Sequence, residues 1–253
     1  MKKLFVFDLD GTLLRDDKTV SEITANTLID LTRKKNSIIF ATARAPRDVY
    51  QYIPDILRSS SIICYNGACI IKEGKIIYKK ELLKKDILDI IKIAKQHKYY
   101  QICLEINDKL YSNFDIVDFF GNIPTQINDL VALDFQTAYK VILCNKKGID
   151  SNFIKKLPKS CKGIITDKGT LCQIIKADAS KWNSIEFLTK QLNISYRDII
   201  TFGNDYNDID MIKNAGIGIA MGNAERAVKD VADIIIDTNM NDGIAKYLIS
   251  TYL

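Results

Sequence analysis

Leu4-Phe5-Val6-Phe7-Asp8-Leu9-Asp10-Gly11-Thr12-Leu13-Leu14 decides the fold of this chain. Its first four residues are apolar without alternation, which predicts a strand buried on both faces of a parallel sheet. The run stops at two carboxylates, a glycine and a threonine. Open α/β sheets bind ligands beyond the carboxyl ends of their strands, so Asp8 and Asp10 fall where such folds carry their chemistry. Two carboxylates this close repel unless a cation or a proton lies between them. Taken alone, Asp-x-Asp-Gly is equally a strand end followed by an Asp-Gly turn. The rest of the chain has to decide.

Downstream, strand and helix patterns alternate. Val20 to Lys35 reads as an amphipathic helix with Ser21 as its N-cap. Ser37 to Ala41 is a second apolar strand, ending in Thr42-Ala43-Arg44. Thr42 can offer a hydroxyl and nearby N–H groups to an oxyanion, or simply cap the helix expected near Pro46. Ser61 to Tyr65 is a third strand halted by Asn66-Gly67, and a hairpin is expected around Glu73-Gly74. The character then changes. A helix over Leu82–Lys98 is followed by hairpins around Asn107-Asp108 and Lys168-Gly169, with helical stretches at Phe114–Phe120 and Asp150–Leu157. From Ala179 the strand–helix alternation resumes, with strands at Asp198–Gly203, Gly216–Ala220 and Ile234–Ile236 and a terminal helix from Gly243.

This pattern predicts an α/β fold with a mainly parallel sheet flanked by helices, interrupted by an inserted α+β domain. The expected boundaries are 1–81 and 179–253 for the discontinuous α/β core and 82–178 for the insertion. Residues of the insertion that face a substrate cannot be picked out from the pattern. Tyr99, Tyr100, Tyr111, Phe114 and Phe119 read better as its core than as a stacking surface.

Composition narrows the function. With 253 residues, 47% hydrophobic and 26% charged, the chain can bury a sizeable core. A net charge of +5, spread over scattered lysines, predicts a solvated surface rather than a nucleic-acid stripe, and suits an anionic small substrate. Met1-Lys2-Lys3 leads straight into the first strand and no apolar run approaches membrane-spanning length, so neither a secretory leader nor a membrane span is expected. Six cysteines without a C-x-x-C pair predict buried reduced thiols and a cytoplasmic address. A single histidine, His97, argues against histidine nucleophiles and His-rich metal sites.

Several predicted strand ends now carry polar groups: Asp8 and Asp10, Thr42, and Asn204-Asp205-Tyr206-Asn207-Asp208, with Lys181 at a helix start on the same rim. Carboxylates without histidine or paired cysteines point to a hard, oxygen-liking ion, and Mg²⁺ is the usual one in phosphate chemistry. Cation, lysine and hydroxyl together form a phosphate cradle, and a carboxylate held in line can act as a nucleophile.

These motifs resemble the haloacid dehalogenase superfamily of phosphatases, in its Cof-type branch with a large cap inserted between the second and third motifs. The matching segments are Asp8-Leu9-Asp10-Gly11-Thr12-Leu13, Ala41-Thr42-Ala43-Arg44 with Asn66-Gly67-Ala68, Ser180-Lys181, Gly203-Asn204-Asp205-Tyr206-Asn207-Asp208 and Gly222-Asn223-Ala224. The resemblance covers nearly the whole chain. It implies a Rossmann-like core and a cap that selects small phosphorylated metabolites, sugar phosphates foremost. It also implies that Asp8 attacks phosphorus and binds Mg²⁺. Asp10 would protonate the leaving group and then activate water, its backbone carbonyl binding the metal. Thr42, Lys181 and Asn207 would hold phosphate oxygens, and Arg44 would face substrate or cap, or equally be a surface charge at a helix start.

The sequence departs from the family pattern at two places. Asn204 stands where the family usually has aspartate, so either its amide oxygen or Asp205 would complete the metal site, with Asp208 supporting from behind. Trp182 stands where a small residue is common, and either packs its helix onto the sheet or lines a crevice. Asn204 also keeps open a weakened phosphate-binding or sensing module, and a phosphotransferase would share the aspartyl-phosphate. Gly216-x-Gly218 is a weak dinucleotide signal, because it lies inside a strand near the C-terminus.

Overall fold

The computed structural model describes residues 2–253. They form two compact units, residues 2–78 with Ser180–Leu253, and Lys79–Ala179. The first unit opens with β1 (Leu4–Phe7), α1 (Glu22–Arg33), β2 (Ser37–Ala41), the single turn α2 (Pro46–Val49), β3 (Ser61–Cys64), β4 (Cys69–Lys72) and β5 (Lys75–Lys79). The second unit contains β6 (Leu82–Leu83), α3 (Lys84–Gln96), β7 (Gln101–Ile106), β8 (Lys109–Ser112), α4 (Val117–Phe120), β9 (Thr125–Ile127), β10 (Thr137–Ala138), β11 (Lys140–Cys144), β12 (Cys161–Thr166) and β13 (Leu171–Lys176). The chain then completes the first unit with α5 (Lys181–Leu192), β14 (Ile199–Gly203), α6 (Ile209–Asn214), β15 (Ile217–Ala220), α7 (Arg226–Lys229), β16 (Ile234–Ile235) and α8 (Gly243–Tyr252).

The eight-stranded sheet of the first unit runs β16-β15-β14-β1-β2-β3-β4-β5. Pairs from β16 to β3 are parallel, and β3–β4 turns antiparallel. All four residues of β1 are fully buried at its centre, as an unbroken apolar run requires. Register brings the strand ends level. Phe7 lies beside Phe40 of β2 and Phe202 of β14, and Phe7 stacks on Phe202 at 4.7 Å between ring centroids. Three central strands therefore end together, and the polar residues just beyond them share one rim. Ser21 caps α1 by accepting from the Thr24 N–H at 3.2 Å.

The second unit is a six-stranded sheet, β12-β13-β11-β7-β8-β9, with α3 packed on one face. Leu82 and Leu83 pair with β10 rather than starting the helix, and residues 151–156 form a 3-10 turn rather than an α-helix. The α-helical part of 114–120 shrinks to α4. Neither β9 nor β10 was expected, since two- and three-residue strands leave no readable alternation. Of the five aromatics expected in this core, Tyr99 is buried and Tyr111 packs beside it, while Phe114 and Phe119 join a smaller cluster around Cys103 and Ile142. Tyr100 is a correction. It is 60% exposed at the lead-in to β7, where its carbonyl is held by the Asn113 amide at 2.7 Å and its ring is left in solvent. All six cysteines are free and buried. Among the described residues, no helix is long and apolar enough to cross a membrane.

Candidate active site

The site grows from the shared rim of β1, β2 and β14. Asp8 comes directly after β1, and its N–H donates to the Phe202 carbonyl at 3.0 Å, continuing the strand pairing one residue further. Lys181 is the first residue of α5, whose N-cap Ser180 accepts from the Asn183 N–H at 3.1 Å. The lysine is wholly buried, with Nζ 2.6 Å from Asp8 Oδ1 and 2.6 Å from Asp208 Oδ1. Burial pushes the Asp8 carboxyl up to about 7; the Asp208 charge adds to the rise and Lys181 opposes it. Burial alone would lower Lys181, but Asp208 and then Asp8 outweigh it, so the ammonium stays charged. Two carboxylates around one ammonium leave this buried cluster short of one positive charge when both are ionised.

Asp208 also shapes the turn after β14. Its Oδ2 accepts from the N–H groups of Asn204 at 2.9 Å and Asp205 at 3.0 Å. Asp205 turns its carboxylate to the Tyr206 N–H at 2.7 Å. The turn thus delivers Asn204, not Asp205, to the first motif. The inward atom of the Asn204 amide lies 2.8 Å from Thr12 Oγ1, 2.9 Å from the Asp10 carbonyl oxygen and 3.2 Å from Asp8 Oδ2. Which of its two atoms points inward is set by what lies there. A nitrogen donates to both Asp oxygens. An oxygen there stands 2.9 Å from the Asp10 carbonyl oxygen and 3.2 Å from Asp8 Oδ2, close to the separation of neighbouring Mg²⁺ ligands, which at 2.0–2.1 Å from the metal stand roughly 2.9 Å apart. The residues fit a hard cation. Gly11 makes the approach possible: its φ is +74°, and a Cβ there would stand 2.5 Å from the Asn204 amide. Among the described residues no group of three His, Cys, Asp or Glu side chains is placed to hold a metal ion.

Asp10 faces away from that triad. Arg44 Nε donates to its Oδ2 and Nη2 to its Oδ1, both at 2.7 Å, and Lys18 Nζ donates to Oδ1 at 3.0 Å. Burial raises the Asp10 carboxyl, but hydrogen bonds and charge from Arg44 and then Lys18 bring it below its ordinary value. Arg44 also lies over the Tyr52 ring at 4.4 Å. Arg44 is found holding Asp10. Thr42 is buried at the end of β2, and its hydroxyl accepts from the Arg44 N–H at 3.1 Å. It is not the cap of α2, which starts from Ala45 without a side-chain cap.

The Asn66-Gly67 turn buttresses the far side. Tyr65, Asn66 and Gly67 all have positive φ. The buried Asn66 accepts from Asn207 Nδ2 at 2.9 Å, which leaves Asn207 Oδ1 buried without a partner. Gly67 lies so close to α5 that a Cβ would stand 2.0 Å from the Ser180 carbonyl oxygen, and its own carbonyl accepts from Ser184 Oγ at 2.9 Å. Asn223 donates to the Gly11 carbonyl at 2.8 Å, which gives the Gly222-Asn223-Ala224 segment a bracing role. Trp182 packs against the core cluster and Tyr196. Sequence reading missed Lys18 and Thr12. Lys18 sits in Asp16-Asp17-Lys18-Thr19, a polar turn with no signature to separate it from any exposed loop.

The chain matches the model of the haloacid dehalogenase-like hydrolases over residues 5–248. It is 28% identical to the Bacillus subtilis 5-amino-6-(5-phospho-D-ribitylamino)uracil phosphatase YcsE, covering 96% of this chain and 93% of the relative. It is 27% identical to YitU of the same organism and the same named activity, covering 97% and 96%. Among solved structures, TM0651 from Thermotoga maritima superposes with a TM-score of 0.83 at 26% identity, covering 100% of this chain and 98% of that one. The family match spans nearly the whole chain, and the chain belongs to the haloacid dehalogenase-like hydrolase family.

Proposed function

We propose that this hydrolase is a Mg²⁺-dependent phosphatase of small phosphorylated metabolites, sugar phosphates foremost, working through an aspartyl-phosphate on Asp8. The observation that carries the reading is the placement of Asp8: one carboxylate oxygen lies on Lys181, the other beside the Asn204 amide and the Asp10 carbonyl. Asp8, the Asp10 carbonyl and the Asn204 amide oxygen would hold the metal. Bound there, Mg²⁺ supplies charge neutralisation for the transferred phosphoryl oxygens. Lys181, the Thr42 hydroxyl and Asn207 hold and orient those oxygens.

Asp8 forms a bond to phosphorus as the bond to the leaving oxygen breaks, and Asp10 gives that oxygen its proton. Asp10 then takes a proton from water, which attacks the same phosphorus and frees Asp8 and inorganic phosphate. Acid–base work of this kind is typically worth about 10²- to 10⁴-fold. Choice of leaving group is assigned to the second unit. The two Bacillus relatives, named for a phosphorylated ribityl compound, support a polyol or sugar phosphate as the class to try first.

The test is phosphate release from 4-nitrophenyl phosphate and a sugar-phosphate panel, with and without Mg²⁺, beside Asp8→Asn. Metal-dependent turnover that falls on the order of 10³-fold or more in Asp8→Asn is the expected result. Folded wild type that hydrolyses nothing on the panel overturns it. The neutral Asn204 favours one second reading, a phosphate receptor, and phosphate binding without turnover would establish that instead.

A further inference from the structure

Lys18 occupies a backbone position that glycine fills by default. Its N–H donates to the Arg15 carbonyl and the Arg15 N–H to the Thr19 carbonyl, both at 2.9 Å, closing a tight hairpin turn. Lys18 ends that turn at φ +67°. Hairpins of this length favour glycine at the left-handed position, because a Cβ there crowds the backbone. The turn is riveted from outside. One Arg15 guanidinium nitrogen donates to both Asp242 oxygens at 2.8 and 2.9 Å. The Asn239 amide donates to the Leu14 carbonyl at 2.9 Å and to Asp16 at 3.1 Å. A fixed turn with an unfavourable residue at its end presents one group inward, the Lys18 ammonium, 3.0 Å from Asp10 Oδ1.

The Asp10 carboxylate is therefore gripped from two independent elements. Arg44, just past β2, takes both oxygens in a planar fork, which sets the plane of the group. Lys18, from the turn after β1, adds a third bond at Oδ1 from a second element, which further restrains the carboxylate. Asp10 itself stays 39% exposed, open to a reacting oxygen.

We propose that Lys18 is a positioning residue for Asp10, orienting the carboxyl toward the leaving oxygen together with Arg44. The proposal rests on the phosphatase reading above, in which Asp10 protonates the leaving group. Its signature is dependence on the leaving group. Phenyl phosphate departs as a strongly basic phenolate and needs the acid, whereas 4-nitrophenyl phosphate, of nearly the same shape, departs with little help.

The experiment measures kcat/KM, which reports the step in which the leaving group departs, on both esters for wild type, Lys18→Met, Lys18→Gly and Lys18→Arg. Lys18→Gly relieves the backbone while removing the ammonium, so its thermal midpoint should match or exceed that of wild type and folding is not in question. Expected is a roughly tenfold fall on phenyl phosphate against a fall under threefold on the nitrophenyl ester, in both Lys18→Met and Lys18→Gly, with substantial recovery in Lys18→Arg. An unchanged ratio between the esters, whatever the absolute rates, overturns the proposal and leaves the phosphatase reading standing. A ratio that shifts in favour of phenyl phosphate overturns it too, since the ammonium would then be hindering Asp10. Wild type inactive on both esters and on the wider panel removes the phosphatase reading itself.

Discussion

Among the described residues each unit buries one lysine, and the two sit in different surroundings. Lys181 in the first unit lies between two carboxylates at 2.6 Å each. Lys140 in the second unit, on β11, donates to the neutral amide oxygen of Gln173 at 2.8 Å, with Glu105 its register partner on β7. Gln173 passes the chain on to the Thr166 hydroxyl at 3.2 Å. A lysine matched by two carboxylates makes a cluster that still lacks positive charge, a demand that a divalent cation can meet. A lysine in a ladder of cross-strand side chains satisfies a sheet face. The first arrangement reads as chemistry and the second as architecture.

The largest effect separates them directly. Lys181→Met leaves Asp8 and Asp208 buried against each other without their shared cation, and breaking a buried pair this way costs about 3–5 kcal/mol. Chemical denaturation should show that loss, and phosphate release should fall on the order of 10³-fold, because a group on both the nucleophile and the phosphate is gone. Lys140→Met strips Gln173 of one partner and removes the ammonium from the strand position opposite the buried Glu105, at a cost of at least about 1–3 kcal/mol. Turnover of 4-nitrophenyl phosphate should hold within about twofold, since Lys140 lies on the sheet of the second unit and is not one of the rim residues. Equal losses in the two variants would break the comparison.

The contrast also explains what was legible in advance. Asp8, Thr42, Lys181 and the 204–208 cluster stand where apolar runs stop, and in a parallel sheet those stops share a rim, so linear pattern translates into a site. Lys140 gives no such signal. It lies among Ala138, Tyr139, Val141 and Ile142, where a lysine reads as the solvent face of a strand, and nothing local says that both faces are covered. The grip of Arg44 and Lys18 on Asp10 was equally hidden. It depends on side-chain rotation and on a turn anchored by Asp242 and Asn239, more than 200 residues downstream. Asn204 against Asp205 could not be settled from spacing either, because the choice is made by Asp208 drawing both backbone N–H groups to one oxygen.

Asn204→Asp sharpens the electrostatic side of the comparison. If the first cluster is short of positive charge, a third carboxylate raises its demand for a cation. Half-saturating Mg²⁺ should fall by about tenfold, roughly 1.4 kcal/mol, as ligand charge increases. Without Mg²⁺ the same variant should melt below wild type, since the added charge then faces Asp8 unscreened. A variant indifferent to Mg²⁺ in both melting and turnover would mean that residue 204 does not face the cation.

The smallest effect concerns how a helix starts in each unit. In α5 the N-cap Ser180 accepts from the Asn183 N–H, whereas α3 starts from Leu83 with no side-chain cap. Ser180→Ala should cost about 1 kcal/mol, read as a shift in denaturation midpoint without a change in slope. Lys181 is the next residue, so any fraying of the helix start is felt at Asp8. The fraying is limited, however, because the Gly67 backbone closes on the Ser180 carbonyl and Ser184 holds the Gly67 carbonyl from inside the helix. The cap and the buttress therefore divide the work. Ser180→Ala should lower kcat only a few-fold, while Ser184→Ala, which removes the buttress bond at a similar cost of about 1 kcal/mol, should lower it by a comparable amount. The two changes touch the same helix start, so their combination should cost more than the sum of the parts. Simple additivity in the double variant would show that α5 is rigid without either bond, and that Lys181 is held in place by its two carboxylates alone.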